Sequence, residues 1–270
     1  MRNVLSLTIG LLFALSSFSQ KNKYFSVVTG ASLPIGNFGN DDITDDEAGV
    51  AKLGQAGSIS YAQLTGKKLG FTITIQGQRN PFDTKAAEKK FSEINFNRDV
   101  MSVGTNPNLP PPPSPPVKYP NWKFQKRSWL SGALLMGGYG EFASTASSRF
   151  SIVTKLMLGP LYAESPEIRG TSVTDTVTAV YEQTSSSSFG LAYLLSGGIK
   201  LHINKRLYFL TSLEYMGTNR MTFDDIEATL TTSKGVVGDP GFIITQSKLT
   251  GSARQTVSTI NLVAGIAVRL

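Results

Sequence analysis

The chain has 270 residues, 40% of them hydrophobic and only 17% charged, with a formal net charge of +7. Ordinary soluble domains carry roughly 25% charged residues, so this chain lacks the charge to coat a large soluble surface. The complete absence of cysteine excludes a disulfide framework, a thiolate metal site and lipoprotein acylation.

Residues 1–19 read as a signal peptide: one base at Arg2, an apolar run from Val4 to Leu15, and the small-residue end Ser17-Phe18-Ser19. The run is shorter than the ~20 residues a spanning helix needs. The remainder, 20–270, is expected to form one domain. It holds no second long apolar run, so any membrane span in it must be built of strands.

Period-two alternation marks eight such strands in chain order. They fall at 24–33, 55–64, 69–79, 128–142, 149–161, 189–203, 207–217 and 256–270. The sixth is the clearest. Phe189, Leu191, Tyr193, Leu195, Ile199, Leu201 and Ile203 take one face, while Gly190, Ala192, Ser196, Gly198, Lys200 and His202 take the other. A helix would scatter both sets around its circumference.

The connections alternate between short (65–68, 143–148, 204–206) and long (34–54, 80–127, 162–187, 218–253). Short periplasmic turns alternating with long external loops are the mark of an outer-membrane barrel. The expected fold is therefore all-β: an eight-stranded, antiparallel, up-and-down transmembrane β-barrel with long extracellular loops. Eight strands leave an interior about wide enough for side chains, which argues against a wide pore.

Gly30-Ala31-Ser32-Leu33-Pro34-Ile35-Gly36-Asn37-Phe38-Gly39 and the closing strand Asn261-Leu262-Val263-Ala264-Gly265-Ile266-Ala267-Val268-Arg269-Leu270 resemble the small outer-membrane barrels of Bacteroidota, OmpA/OmpX-like in their membrane part. The resemblance spans the mature chain and implies a fold, an outer-membrane location and delivery by the barrel assembly machinery. It implies no activity.

The candidate site residues fall into two groups. Glu141, Arg149, Lys155, Lys200, His202, Glu214 and Arg269 alternate onto the lumen face, where a charge must be paired. Glu141 is expected opposite Arg149 across the 143–148 turn. In the longest loop, 80–127, the proline run 110–113 continues through Ser114-Pro115-Pro116 and must be extended. Lys118, Tyr119, Trp122, Lys123, Phe124, Lys126 and Arg127 follow it. This mixture suits either a partner-binding surface or a stiff spacer beneath an aromatic girdle. Residues 84–93 can supply a short helix. The loop is net basic while 34–54 and 162–187 are net acidic, so these loops either bind an anionic surface glycan or partner, or dock on one another as a lid.

Other chemistry is thinly represented. His202 is the single histidine, and no serine is paired with it by spacing. Gly137-Gly138-Tyr139-Gly140 lies inside a strand and opens no helix, so it is read as close packing rather than a nucleotide loop. Asp41, Asp42, Asp45, Asp46 and Glu47 lack the spacing of a calcium loop. No cofactor and no metal are expected. The net positive charge is assigned to lipid head groups rather than nucleic acid, with Lys21, Lys23, Lys67, Lys68, Lys205 and Arg206 on the periplasmic rim.

The reading is a non-enzymatic outer-membrane barrel that anchors external loops for a surface partner, ligand or cell-surface layer. A narrow, porin-like channel or transporter for small or apolar molecules is the alternative, and a lipid-modifying enzyme the remoter one.

Overall fold

The computed structural model describes residues 23–43, 45, 47–93, 119–143, 149–174, 177–234 and 243–270. The signal-peptide segment, Lys21, Lys118 and the proline run lie outside the described residues.

Eight antiparallel strands close into a barrel in the order β1-β13-β10-β9-β6-β5-β3-β2. These are β1 (Lys23–Pro34), β2 (Gly54–Leu64), β3 (Leu69–Pro81), β5 (Ser128–Ala143), β6 (Phe150–Glu164), β9 (Ser187–His202), β10 (Leu207–Thr218) and β13 (Thr259–Arg269). All eight strands read from the alternation are present, with ends moved by at most three residues.

Partner residues trace the wall completely. From Ser151 the register passes through Lys200, Leu210, Gly265, Val28, Ser58, Gln76 and Ala133, returning to β6 at Leu161, ten residues further along. A stagger of this size over eight strands tilts them by roughly 40° and leaves a narrow interior.

The alternation has a direct physical outcome. Leu191, Leu195, Ile199, Leu156, Leu158, Ile75, Leu262 and Ile266 lie exposed on the outer wall, whereas Ala192, Leu194, Ser196, Lys200, Met157 and Asn261 are buried in the lumen. A closed wall satisfies its backbone internally and exposes a continuous apolar belt, which water does not tolerate and lipid does. The chain is an outer-membrane β-barrel protein.

Local chemistry closes the short turns. In the β9–β10 turn the Asn204 side-chain oxygen accepts hydrogen bonds from the N–H groups of Arg206 and Leu207 at 2.9 and 2.8 Å, an Asx turn that needs no glycine. Within β6, Pro160 has no N–H to give, and the β5–β6 ladder is interrupted opposite Gly159 and Pro160.

The long connections differ from expectation. Residues 162–187 contribute β7 (Ile168–Val173) and β8 (Val177–Gln183), and 218–253 contribute β11 (Met221–Lys234) and most of β12 (Ile243–Gln255). With β4 (Lys123–Phe124) they form a second sheet in the order β12-β11-β8-β7-β4. Helix α1 (Thr84–Glu93) occupies the segment expected to be helical. Sheet and helix make a folded cap at the barrel end opposite the short turns.

Candidate functional site

The lumen is filled in layers. At the short-turn end Lys200, only 2% exposed, forms an ion pair with Glu141. Its ammonium also lies 3.8 Å from the Tyr24 ring centroid and 4.8 Å from that of Tyr208. Tyr139 donates its hydroxyl to Glu141 Oε2 at 3.2 Å. The ion pair and two aromatic faces together compensate a charge that burial alone would penalise.

Glu141 therefore meets Lys200, not Arg149. The barrel stagger carries β9 across the lumen toward β5, while Arg149 precedes β6 and is exposed. Higher in the lumen Lys155 and Glu214 are buried on either side of Ser196, with which both are in register, and Ser212 donates to Glu214 Oε1 at 3.3 Å. His202 and Arg269 are exposed at the short-turn rim, not buried in a network. His202 Nε2 lies 3.5 Å from Ser151 Oγ, at the limit of hydrogen-bond reach. Among the described residues no carboxylate orients that ring.

Above these charges the lumen is divided. The walls from β5, β6, β9 and β10 supply Leu135, Met157, Leu161, Leu194 and Met216. Opposite them Ser58, Gln76 and Asn261 bury polar atoms without protein partners, a setting that ordered water satisfies. Phe223, Met221 and Val257 continue the apolar filling toward the cap.

The cap has its own core. Asp83 caps α1, its Oδ1 accepting from the N–H groups of Lys85 and Ala86 at 3.0 and 3.2 Å. The helix thereby presents Phe91, whose ring lies 5.4 Å from Trp122, 4.9 Å from Phe124 and 4.8 Å from Tyr181. Trp122 and Phe124 stack on each other, and Tyr119 packs edge-on against Trp122. Tyr119, Trp122 and Phe124 are all buried.

Of the two expectations for this segment, a partner-binding surface and a spacer beneath an aromatic girdle, neither places Tyr119, Trp122 and Phe124 where they lie: the rings are buried in the core that holds helix to sheet. Of their basic neighbours, Lys123 pairs with Glu88 at 3.6 Å and Arg127 with Glu167 at 3.0 Å, while Lys126 is exposed.

Opposite charges join the cap segments. Lys90 reaches Asp42 at 3.4 Å, Arg220 pairs with Glu47, and Lys52 meets Asp83 at 2.7 Å. In the acidic 41–47 segment Asp42 and Glu47 are engaged by bases, and among the described residues no group of three His, Asp or Glu side chains could hold a metal ion.

Two features remain available for recognition. Between cap and barrel mouth lies a cavity of about 260 Å³, with Phe82, Phe91, Trp129, Tyr181 and Phe223 and the polar Asp45, Gln183 and Gln255 among its walls. Trp129 is fixed by donating Nε1–H to the Gly49 carbonyl at 2.7 Å. Tyr181 donates to Gln183 Oε1 at 2.8 Å, and burial pushes its phenol up to about 12. The second feature is the outer edge of β12, which no other described strand covers; residues 246–252 are exposed along it. The alternation rule missed both, since each depends on contacts between segments distant in the chain.

No family model and no curated protein matches the chain. Among solved structures it is similar to a major outer membrane protein from Thermus thermophilus, at 13% identity and TM-score 0.44, covering 92% of this chain and 100% of that one. It is also similar to the attachment invasion locus protein Ail of Yersinia pestis, at 12% identity and TM-score 0.37, covering 91% and 99%. The outer membrane protein OprG from Pseudomonas aeruginosa is similar at 11% identity and TM-score 0.39, covering 93% and 98%. The barrel itself is established by the closed register, not by these distant likenesses.

Proposed function

We propose that the protein is a non-enzymatic outer-membrane anchor whose cap docks an extended segment of a surface partner along the free edge of β12. The observation that carries this reading is a thirteen-residue strand paired with β11 on one side only. An uncovered edge offers a row of N–H and C=O groups that an added strand satisfies, with side-chain pockets setting specificity. The barrel supplies anchorage, and the cap core holds the edge away from the membrane. The segments Gly30–Gly39 and Asn261–Leu270 support kinship with the OmpA/OmpX-like barrels of Bacteroidota.

Adjacent residues of a strand direct their backbone groups to opposite sides, so of Leu249→Pro and Thr250→Pro one blocks the free edge and the other breaks pairing with β11. A photo-crosslinking residue at Ser252 in living cells should yield a discrete adduct. The edge-blocking proline should abolish it while the cap stays folded. An adduct unchanged by both prolines would remove the edge-docking reading.

A second reading is favoured by the cavity, whose aromatic walls and few polar groups suit a small apolar molecule bound beneath the cap. The chain has two tryptophans; in a Trp122→Phe variant the remaining fluorescence comes from Trp129 in the cavity wall. Saturable quenching by a brominated aromatic compound supports this reading, and linear, non-saturable quenching opposes it.

A further inference from the structure

Seven bases gather at the short-turn end of the barrel: Lys23, Lys67, Lys68, Arg149, Lys205, Arg206 and Arg269. All but the partly exposed Lys23 are exposed, and among the described residues none forms an ion pair. The acid at this level, Glu141, is turned inward and held by Lys200. The turn 144–148 adds no charge, and elsewhere in the chain acids and bases nearly balance. The net charge of +7 is therefore concentrated in one rim.

The contrast with the cap is physical, not only numerical. Five cap bases are joined to acids, in Lys90–Asp42, Lys123–Glu88, Arg127–Glu167, Arg169–Glu182 and Lys248–Glu227. Rim bases have no such partners among the described residues.

Position identifies what they face. Phe25, Phe142, Phe150 and Phe209 are exposed on the outer wall beside the rim, and Lys68 Nζ lies 6.0 Å from the Phe142 ring centroid. Exposed aromatic rings in this place mark the level where hydrocarbon gives way to head groups. The rim bases thus stand at head-group height, encircling the wall.

We propose that this rim is a binding surface for anionic phospholipid head groups of the leaflet it meets, gathering phosphodiester lipids of net negative charge around the barrel. The recognising chemistry is an ammonium and guanidinium ring with no internal counter-ions among the described residues, contiguous with an apolar wall that takes the acyl chains. Each base near a charged surface adds attraction that a zwitterionic lipid does not return, and high salt weakens it.

The full chain is placed in nanodiscs of equal parts phosphatidylglycerol and phosphatidylethanolamine, extracted gently, and its retained lipids are counted by native mass spectrometry. The wild type should retain phosphatidylglycerol preferentially, and Lys67→Gln/Lys68→Gln/Lys205→Gln/Arg206→Gln should lower that preference roughly tenfold. Lys85→Gln/Lys89→Gln/Lys126→Gln/Lys248→Gln removes as many charges from the cap and should leave the preference intact. Heat-modified migration on gels verifies that both variants are folded. Equal retention of the two lipids by the wild type, or equal losses in the two variants, overturns the proposal. So does retention that a soluble polyanion, polyglutamate, displaces completely at physiological salt, since the surface would then be an open polymer site.

Discussion

Lys200 illustrates how a residue legible in sequence acquires its role only from the closed wall. Its lumen face followed from alternation, but its partner Glu141 lies on β5, two strands away around the barrel. Pairing across a lumen depends on the stagger, which no single strand encodes. Removing one member of a buried pair strands the other, so Lys200→Met should destabilise by about 3–5 kcal/mol. Lys200→Met/Glu141→Gln should recover most of that, as measured by urea unfolding in lipid. Glycine positions make a second comparison. A methyl group added at Gly159 would fall on the Leu134 carbonyl of the neighbouring strand, whereas one at Gly138 meets nothing within 4 Å. Gly159→Ala should therefore cost about 1–3 kcal/mol, and Gly138→Ala little, in the same unfolding assay.

At the level of elements, legibility divides at the membrane boundary. The barrel strands announce themselves because lipid on one side and a packed lumen on the other impose a strict period of two. The cap strands obey no such rule. Much of β11 is partly buried on both faces, and its pairing with β12 shifts between Phe223 and Ile226, beside Asp225 in a left-handed conformation. Helix α1 falls where the run 84–93 allows a short helix, since helix formation and the Asp83 cap are local. The destination of Tyr119, Trp122 and Phe124 was not, because it is set by Phe91 on α1 and by Tyr181 on β8. Tyr181 gives the cap a pH dependence. Its folded pKa of about 12 lies above the ordinary value of 10.0, so the folded cap prefers the neutral phenol. The associated stability is complete below pH 10 and is lost as pH rises toward 12. Protection factors of the β7 and β8 amides, with the base-catalysed rise of intrinsic exchange divided out, should fall over that window in the wild type, and Tyr181→Phe should flatten the response.

For the molecule as a whole, the two ends differ in charge, structure and exposure, and orientation follows from that difference. Short turns belong to the periplasm and the elaborated end to the exterior in barrels of this kind. Since the chain lacks cysteine, single cysteines report sidedness cleanly. A membrane-impermeant maleimide should label Lys126→Cys in intact cells and Lys67→Cys only after the outer membrane is opened. The reverse pattern would invert the topology. Passage through the barrel is a separate matter, decided by the lumen rather than by the cap. Leu135, Met157, Leu194 and Met216 come from the wall strands themselves and are buried at or below 1% exposure, so taking the cap away does not remove them. Beneath them Lys200 and Glu141 close the short-turn end between Tyr24 and Tyr208. A stagger of ten residues over eight strands, as the register traces from Ser151 to Leu161, fixes a bore that these side chains fill. In planar bilayers the full chain should therefore carry no steady porin-like current, and deletion of 84–118 with a short Gly/Ser bridge, which takes α1 out of the cap and leaves its sheet, should leave that silence unchanged. A stable current appearing only in the deletion would mean that the 84–118 segment of the cap, not the lumen packing, is the barrier, and the beneath-cap cavity would then be the vestibule of a channel.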